Sequence, residues 1–395
     1  MSQPDLAKFR WLVLAVFVLS TAINYLDRMS MATLAPLVRS EFHWSHADYG
    51  WIVAAFNLTY AASAPFAGMM VDRLGLNLAA SLAVGLWSCA GIATGLTRGL
   101  TGLASCRSVL GMAEAAGIPA AGKAIHQYLR PAERALGNGL NQAGVSLGLV
   151  LAPPVATWLA VRWGWRQAFV VTGALGLLWI PLWNWTARLA GPPAVQKPEH
   201  GGVVILRDRR LWVFVLANAL SMVTYSLWTN WTTLYLVDVH RLTIAEAAWY
   251  AWIPPLFAAL GGTAGGWLSL VWINRGLTPV RGRFRVCLVA AVLSIATAAI
   301  PASHSVAWTT AGISLSFLAV AAFSVNMYSL PLDVFGGARS AFAVSMLTCS
   351  AGIAGLVSPA IGRIVDLHGY APVTWIASTV LLAACGVLWI SGSVK

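Results

Sequence analysis

The sequence predicts an all-α membrane protein with twelve transmembrane helices in two six-helix bundles. Three observations carry that expectation. First, 58 % of the 395 residues are hydrophobic and only 10 % are charged, with a mean hydropathy of +0.73, whereas soluble domains carry about a quarter charged residues. Second, the apolar residues gather into runs of about 20 residues or more, long enough to cross a bilayer. Third, the second half repeats the first. Arg134-Ala135, Pro154 and Gly164-Trp165 recur as Arg339-Ser340, Pro359 and Gly369-Tyr370, each 205 residues later. Such repeats mark transporters that rock two bundles about a central site, and a channel or membrane enzyme has less need of them.

In order, the runs lie at about 11–35, 47–70, 77–97, 101–124, 136–160, 167–187, 211–236, 247–272, 284–303, 306–330, 340–364 and 372–391. The first is too long for a cleavable signal and is followed by eleven more, so no leader is expected. The one long polar linker, 188–210, contains Gly, Pro and five basic residues. The expected domains are therefore an N-terminal bundle over 1–187, a cytoplasmic linker over 188–210 and a C-terminal bundle over 211–395. With the N-terminus inside, the inside loops and termini hold 17 Lys and Arg and the outside loops hold six, while Arg28 and Arg107 remain within the membrane. This positive-inside bias predicts a multi-pass protein of the cell (inner) membrane with both termini cytoplasmic. It also accounts for the net charge of +12 without a nucleic-acid partner.

Two apolar runs carry charge at depth. The first contains Asn24-Tyr25-Leu26-Asp27-Arg28, and the fourth contains Arg107 and Glu114. Intramembrane charge is costly and is tolerated facing a protein interior or a water-filled path. Seven residues are about two helical turns, so Arg107 and Glu114 share a face, but about 10 Å of axial separation keeps them from pairing directly. Each wants a partner from another helix, and Asp27 and Arg28 are the available charges. The bland reading is a structural ion pair; the sharper one is a site for an anionic solute and a proton. Gly111 and the alanines around Glu114 would let a neighbouring helix approach closely.

Other polar residues are weaker candidates. Tyr60 in span two and Gln142 in span five lie at mid-depth and could contact solute or serve as structural glue. Spans seven to twelve hold no deep charge, so they can offer only hydroxyls, amides and rings. Tyr225, Trp228, Asn230, Ser324, Asn326, Ser345 and Thr348 are the candidates there, each a packing residue as readily as a binding one. The five cysteines sit in apolar runs at no metal-like spacing and read as small buried hydrophobes. No metal site is expected. The seven histidines fall near span ends or in loops, so carboxylates must carry any coupled proton. No nucleophile set for a membrane enzyme is visible.

The loop after span two reads Gly68-Met69-Met70-Val71-Asp72-Arg73-Leu74-Gly75-Leu76-Asn77. It resembles the signature loop of the major facilitator superfamily, Gly-x-x-x-Asp-Arg-x-Gly-x-Arg, which implies the major facilitator fold with Asp72 and Arg73 as a cytoplasmic conformational gate. Asn77 replaces the usual basic residue, so a weaker lock is expected. The motif Asn24-Tyr25-x-Asp27-Arg28, Tyr60, the Arg107 to Glu114 stretch and the run Ala152-Pro153-Pro154 to Gly164-Trp165-Arg166 resemble the anion:cation symporters of that superfamily. Arg207 to Trp212, Trp249 to Pro254 and Asp333 to Gly336 are most similar to its bacterial hexuronate transporter branch.

The resemblance implies that Arg28 contacts a substrate carboxylate. It implies that Asp27 and Glu114 are protonation sites, that Arg107 holds them, and that Tyr60 and Gln142 touch solute. Tyr25, Asn230 and Thr348 join them as candidate contacts. The implied function is proton-coupled uptake of a small organic anion, a hexuronate or related sugar acid first, by alternating access. Protons serve as coupling ion, without a cofactor, and the protein is expected to act as a monomer in the lipid bilayer. A monocarboxylate or aromatic-acid symporter would use the same charges in a drier pocket. A cation exporter would keep the fold, though Arg28 beside Asp27 argues against it. A transport-inactive nutrient sensor is the alternative of another class.

Overall fold

The computed structural model describes residues 6–130, 133–190, 202–335 and 337–392. Linker residues 191–201 and the side chain of Asp72 lie outside the described residues. The first half comprises α1 (Leu6–Phe42), α2 (His46–Leu74), α3 (Leu76–Gly95), α4 (Leu100–Glu114), α5 (Gly117–Tyr128), α6 (Arg134–Trp163) and α7 (Trp165–Ala190). The second comprises α8 (Arg209–His240), α9 (Ile244–Ala251), α10 (Ile253–Asn274), α11 (Pro279–Ser294), α12 (Val306–Phe335), α13 (Gly337–Ala354), α14 (Ser358–His368) and α15 (Ala371–Ile390). With no water in hydrocarbon, a spanning chain must satisfy its backbone internally, and helices do so.

Among the described residues eleven helical stretches are long and apolar enough to cross a membrane. The twelfth crossing, expected over 101–124, is broken into α4 and α5 at Ala115 and Ala116. Pro119 is the physical cause, because it has no N–H to donate to the carbonyl of Ala115 and its ring crowds that turn. The last turn of α4 tightens, with Ala116 N donating to Ala113 O at 3.4 Å, and helix resumes where Ala120 N donates to Ala116 O at 3.0 Å. Glu114 is thereby the final residue of α4. The linker ends in a 3-10 helix, Gly202–Arg207, after which Asp208 caps α8 by accepting from Arg210 N at 2.9 Å. The Arg210 side chain on the same carboxylate holds it below the usual carboxylate range.

The chain packs as two units, Met1–Val38 with Ala55–Pro198, and Arg39–Ala54 with Glu199–Lys395. In the first, the core is aromatic where α1 meets α7. Trp179 and Trp183 stack at 5.3 Å, Phe17 meets Trp183 edge-on at 5.4 Å, and Trp179 Nε1 donates to Val16 O at 2.6 Å. In the second, Trp228, Trp231, Tyr235, Phe214 and Phe323 are fully buried, and Asn326 Nδ2 ties α12 to α10 by donating to Gly265 O at 3.1 Å.

The start of α2 belongs to this second unit, and its orphan amides are shared between two acceptors, Ser45 and Asp366. Ser45 and Asp48 form a reciprocal cap: Asp48 N donates to Ser45 Oγ at 3.1 Å and Ser45 N to Asp48 Oδ2 at 3.0 Å. Asp366 of α14 accepts from the backbone of both His46 and Ala47 at 3.0 Å. The His46 ring lies between two carboxylates, Nδ1 at 2.6 Å from Asp366 Oδ1 and Nε2 at 2.7 Å from Asp238 Oδ2. Tyr370 donates to the same Asp238 oxygen at 2.7 Å.

Candidate functional site

Successive residues on a helix point about 100° apart, so the neighbours Asp27 and Arg28 face different surroundings. Arg28 turns toward α4. Its Nε and Nη2 each lie 2.6 Å from Glu114 Oε2, and the Glu114 side chain is fully buried. The guanidinium is also enclosed by rings, with its carbon 4.8 Å from the Tyr25 centroid, 4.9 Å from Phe56 and 5.0 Å from Tyr60. Phe56 and Tyr60, one turn apart on α2, stack at 5.8 Å. Flat rings accept the face of a planar cation, which leaves the edge of the fork for a carboxylate.

Asp27 turns the other way, toward α3 and α7. It is 2 % exposed. Thr172 donates its hydroxyl to Oδ1 at 2.9 Å, and Gly91 gives α3 the room to close on it. A β-carbon at Gly91 would lie 2.8 Å from Asp27 Oδ2. Asp27 Oδ2 and Glu114 Oε1 are both buried and have no hydrogen-bond partner among the described residues. Arg107 is 3 % exposed, lies over the Phe169 ring at 5.7 Å, and is within electrostatic reach of both carboxylates. Two further glycines assemble the site: Gly111 seats α4 against the backbone of Phe56, and Gly148 seats α6 on α1, where a β-carbon at Gly148 would lie 2.5 Å from Ala22 O.

These contacts frame a cavity of about 300 Å³ in the first unit. Of the residues expected from sequence, Tyr25, Arg28, Tyr60, Glu114 and Gln142 line it together. Asp27 and Arg107 are buried outside its lining. Asn230 and Thr348 belong to the second unit, where Asn230 Nδ2 donates to Ser226 O at 2.9 Å and Thr348 Oγ1 to Val344 O at 3.1 Å. Arg73 is exposed on the last turn of α2. Of the weaker candidates, Trp228 Nε1 donates to Ser316 Oγ at 3.0 Å and Asn326 bonds the backbone, which are packing roles.

Sequence reasoning did not single out Phe56, Thr172, Thr21 or Asn141. Phe56 had a signal, since it stands one turn before Tyr60 on a face that Tyr60 already marked. The hydroxyl of Thr172 had none, being one among many in apolar runs.

The arrangement is a charged, ring-lined cavity inside a bundle of membrane-crossing helices. The family model of the Major Facilitator Superfamily matches residues 17–358, and the chain belongs to that superfamily. It is a multi-pass membrane transporter, not an enzyme. It is 29 % identical over 411 residues to the hexuronate transporter of Escherichia coli strain K12, across 96 % of this chain and 93 % of that protein. It is 31 % identical over 285 residues to the galacturonate transporter of Dickeya chrysanthemi, across 67 % of this chain and 82 % of that one. A solved bacterial homologue of the human lysosomal transporter Spinster, inward-facing and occupied, shares the fold with a TM-score of 0.81 at 21 % identity, covering 98 % of this chain and 97 % of its own.

Proposed function

We propose that this transporter takes up a sugar acid, a hexuronate first, together with protons across the cell membrane, with both termini cytoplasmic. The observation that carries the reading is the Arg28–Glu114 pair at the cavity wall, both nitrogens at 2.6 Å from one oxygen. An incoming carboxylate needs the same guanidinium edge that Glu114 occupies. A proton on Glu114 removes the competing charge and frees the fork, so substrate and proton load together. Burial favours the neutral acid and a nearby arginine favours the anion, which leaves Glu114 responsive to whether Arg28 is engaged. Glu114 Oε1 and Asp27 Oδ2, each without a hydrogen-bond partner among the described residues, are the places for protons, and Arg107 balances the charge when they leave. Asp72 and Arg73 serve as the cytoplasmic gate, and the protein works as a monomer without a cofactor.

Two features support a polyhydroxy monocarboxylate. Among the described residues one guanidinium lines the cavity, which suits a single carboxylate, and the amides of Asn24, Asn138, Asn141 and Gln142 on its walls suit hydroxyls. A cavity of this volume is at the small end of ligand sites, the size of a monosaccharide acid. The names of the two transporter relatives point the same way.

The test is glucuronate uptake into proteoliposomes under an inward proton gradient, comparing the native chain with Glu114→Gln. Gradient-driven uptake should vanish in the variant while counterflow exchange persists. Equal gradient-driven uptake in both would remove Glu114 from coupling. No glucuronate or galacturonate uptake by the native chain would remove the substrate class.

A further inference from the structure

Two adjoining helices, α1 and α6, form one wall of the cavity beside Arg28. On α6, Asn138, Asn141, Gln142 and Val145 share one face and line it; on α1, Thr21 and Asn24 do the same. Among the described residues one side-chain hydrogen bond joins them: Thr21 Oγ1 donates to Asn141 Oδ1 at 2.8 Å. That bond occupies the oxygen of the Asn141 carboxamide and fixes the plane of the group. Among the described residues its NH2, two donors on a residue of the cavity wall, has no hydrogen-bond acceptor. Thr21 lies seven residues before Arg28, about 10 Å along the helix axis. A six-carbon acid gripped at one end by Arg28, with hydrogen bonds of about 2.9 Å at each end, spans that distance. Asn24, between them, is 6 % exposed, lines the cavity and has no partner for its amide nitrogen among the described residues. An apolar acid would leave these amides facing a hydrocarbon ring with nothing to bond.

We propose that Asn141, oriented by the hydrogen bond from Thr21, is the hydroxyl-reading residue of this transporter and sets its preference for polyhydroxy acids over plain carboxylates. The inference rests on reading the cavity as a sugar-acid site. Asn141 donates to a ring or chain hydroxyl far from the carboxylate. Thr21 is a positioning residue that touches Asn141 rather than the solute.

The experiment is calorimetric titration of the purified full-length protein with glucuronate and with cyclohexanecarboxylate, a six-membered ring acid without hydroxyls. Asn141→Ala should raise the glucuronate Kd about tenfold, the equivalent of one good hydrogen bond, and leave cyclohexanecarboxylate unchanged. Thr21→Val should raise the glucuronate Kd about threefold, and the double variant should be no worse than Asn141→Ala alone, because the second change acts only through the first. Equal weakening of both acids by Asn141→Ala would make the Thr21–Asn141 bond a packing contact and overturn the proposal. An unchanged glucuronate Kd would overturn it too, as would fully additive effects of the two substitutions. Failure of the underlying reading shows separately, in the native protein, as no glucuronate binding or as equal affinity for the two acids.

Discussion

Replacing Arg28 by lysine keeps the buried charge and removes the fork. Arg28 places Nε and Nη2 at 2.6 Å from one Glu114 oxygen and lies 4.8 to 5.0 Å from three ring centroids. A lysine ammonium can stand at one of those two nitrogen positions, and it is a compact point charge without a flat face. Losing one charge-assisted hydrogen bond removes about 1.5–3 kcal/mol, and the ring contacts weaken besides. Taking about 2 kcal/mol as the loss on a bound carboxylate, the half-saturating glucuronate concentration in counterflow should rise about 30-fold. Because the charge is retained, the buried network stays neutral and the variant should elute as native protein in detergent. A half-saturation within about threefold of native would refute the argument. It would mean that positive charge alone, without guanidinium geometry, suffices at this position.

Two further substitutions test the packing around the site and the start of α2. Gly91→Ala places a methyl 2.8 Å from Asp27 Oδ2; overpacking of this kind costs about 1–3 kcal/mol, so both the thermal midpoint and gradient-driven uptake should fall, and an unchanged pair of values would contradict the close seating of α3 on Asp27. Asp366→Ala removes the acceptor for the His46 and Ala47 amides and should lower stability by about 1 kcal/mol, seen as a fall of about 2 °C in the detergent thermal midpoint. A midpoint equal to that of the native chain would show that Ser45 and Asp48 cap α2 unaided.

The break between α4 and α5 shows where sequence reading stopped short. The apolar run over 101–124 was legible as a crossing, but hydropathy averages over a window and does not register the N–H missing at Pro119. The consequence is chemical, because the break leaves Glu114 at a helix end. The cluster of His46 with Asp238 and Asp366 is a second case. Each of the three sits at the edge of its apolar run, where charge is ordinary, and more than a hundred residues separate His46 from either carboxylate. No local pattern connects them.

The amino-acid order alone shows that the chain crosses the membrane, because apolar runs with so few charges have no other solvent, and that the crossings are helical, because the bilayer offers the backbone no partners. It determined the internal repeat and the two runs that carry charge at depth. Tertiary structure alone decided which charge meets which. Adjacent side chains on a helix diverge by about 100°, so Arg28 pairs with Glu114, 86 residues away, while Asp27, its neighbour in the chain, turns to Thr172 on α7. The ring enclosure by Phe56 and the orientation of Asn141 by Thr21 arise in the same way, from close helix approach at Gly111 and Gly148. Periodicity assigns a residue to a face of its own helix, and only packing decides what that face meets.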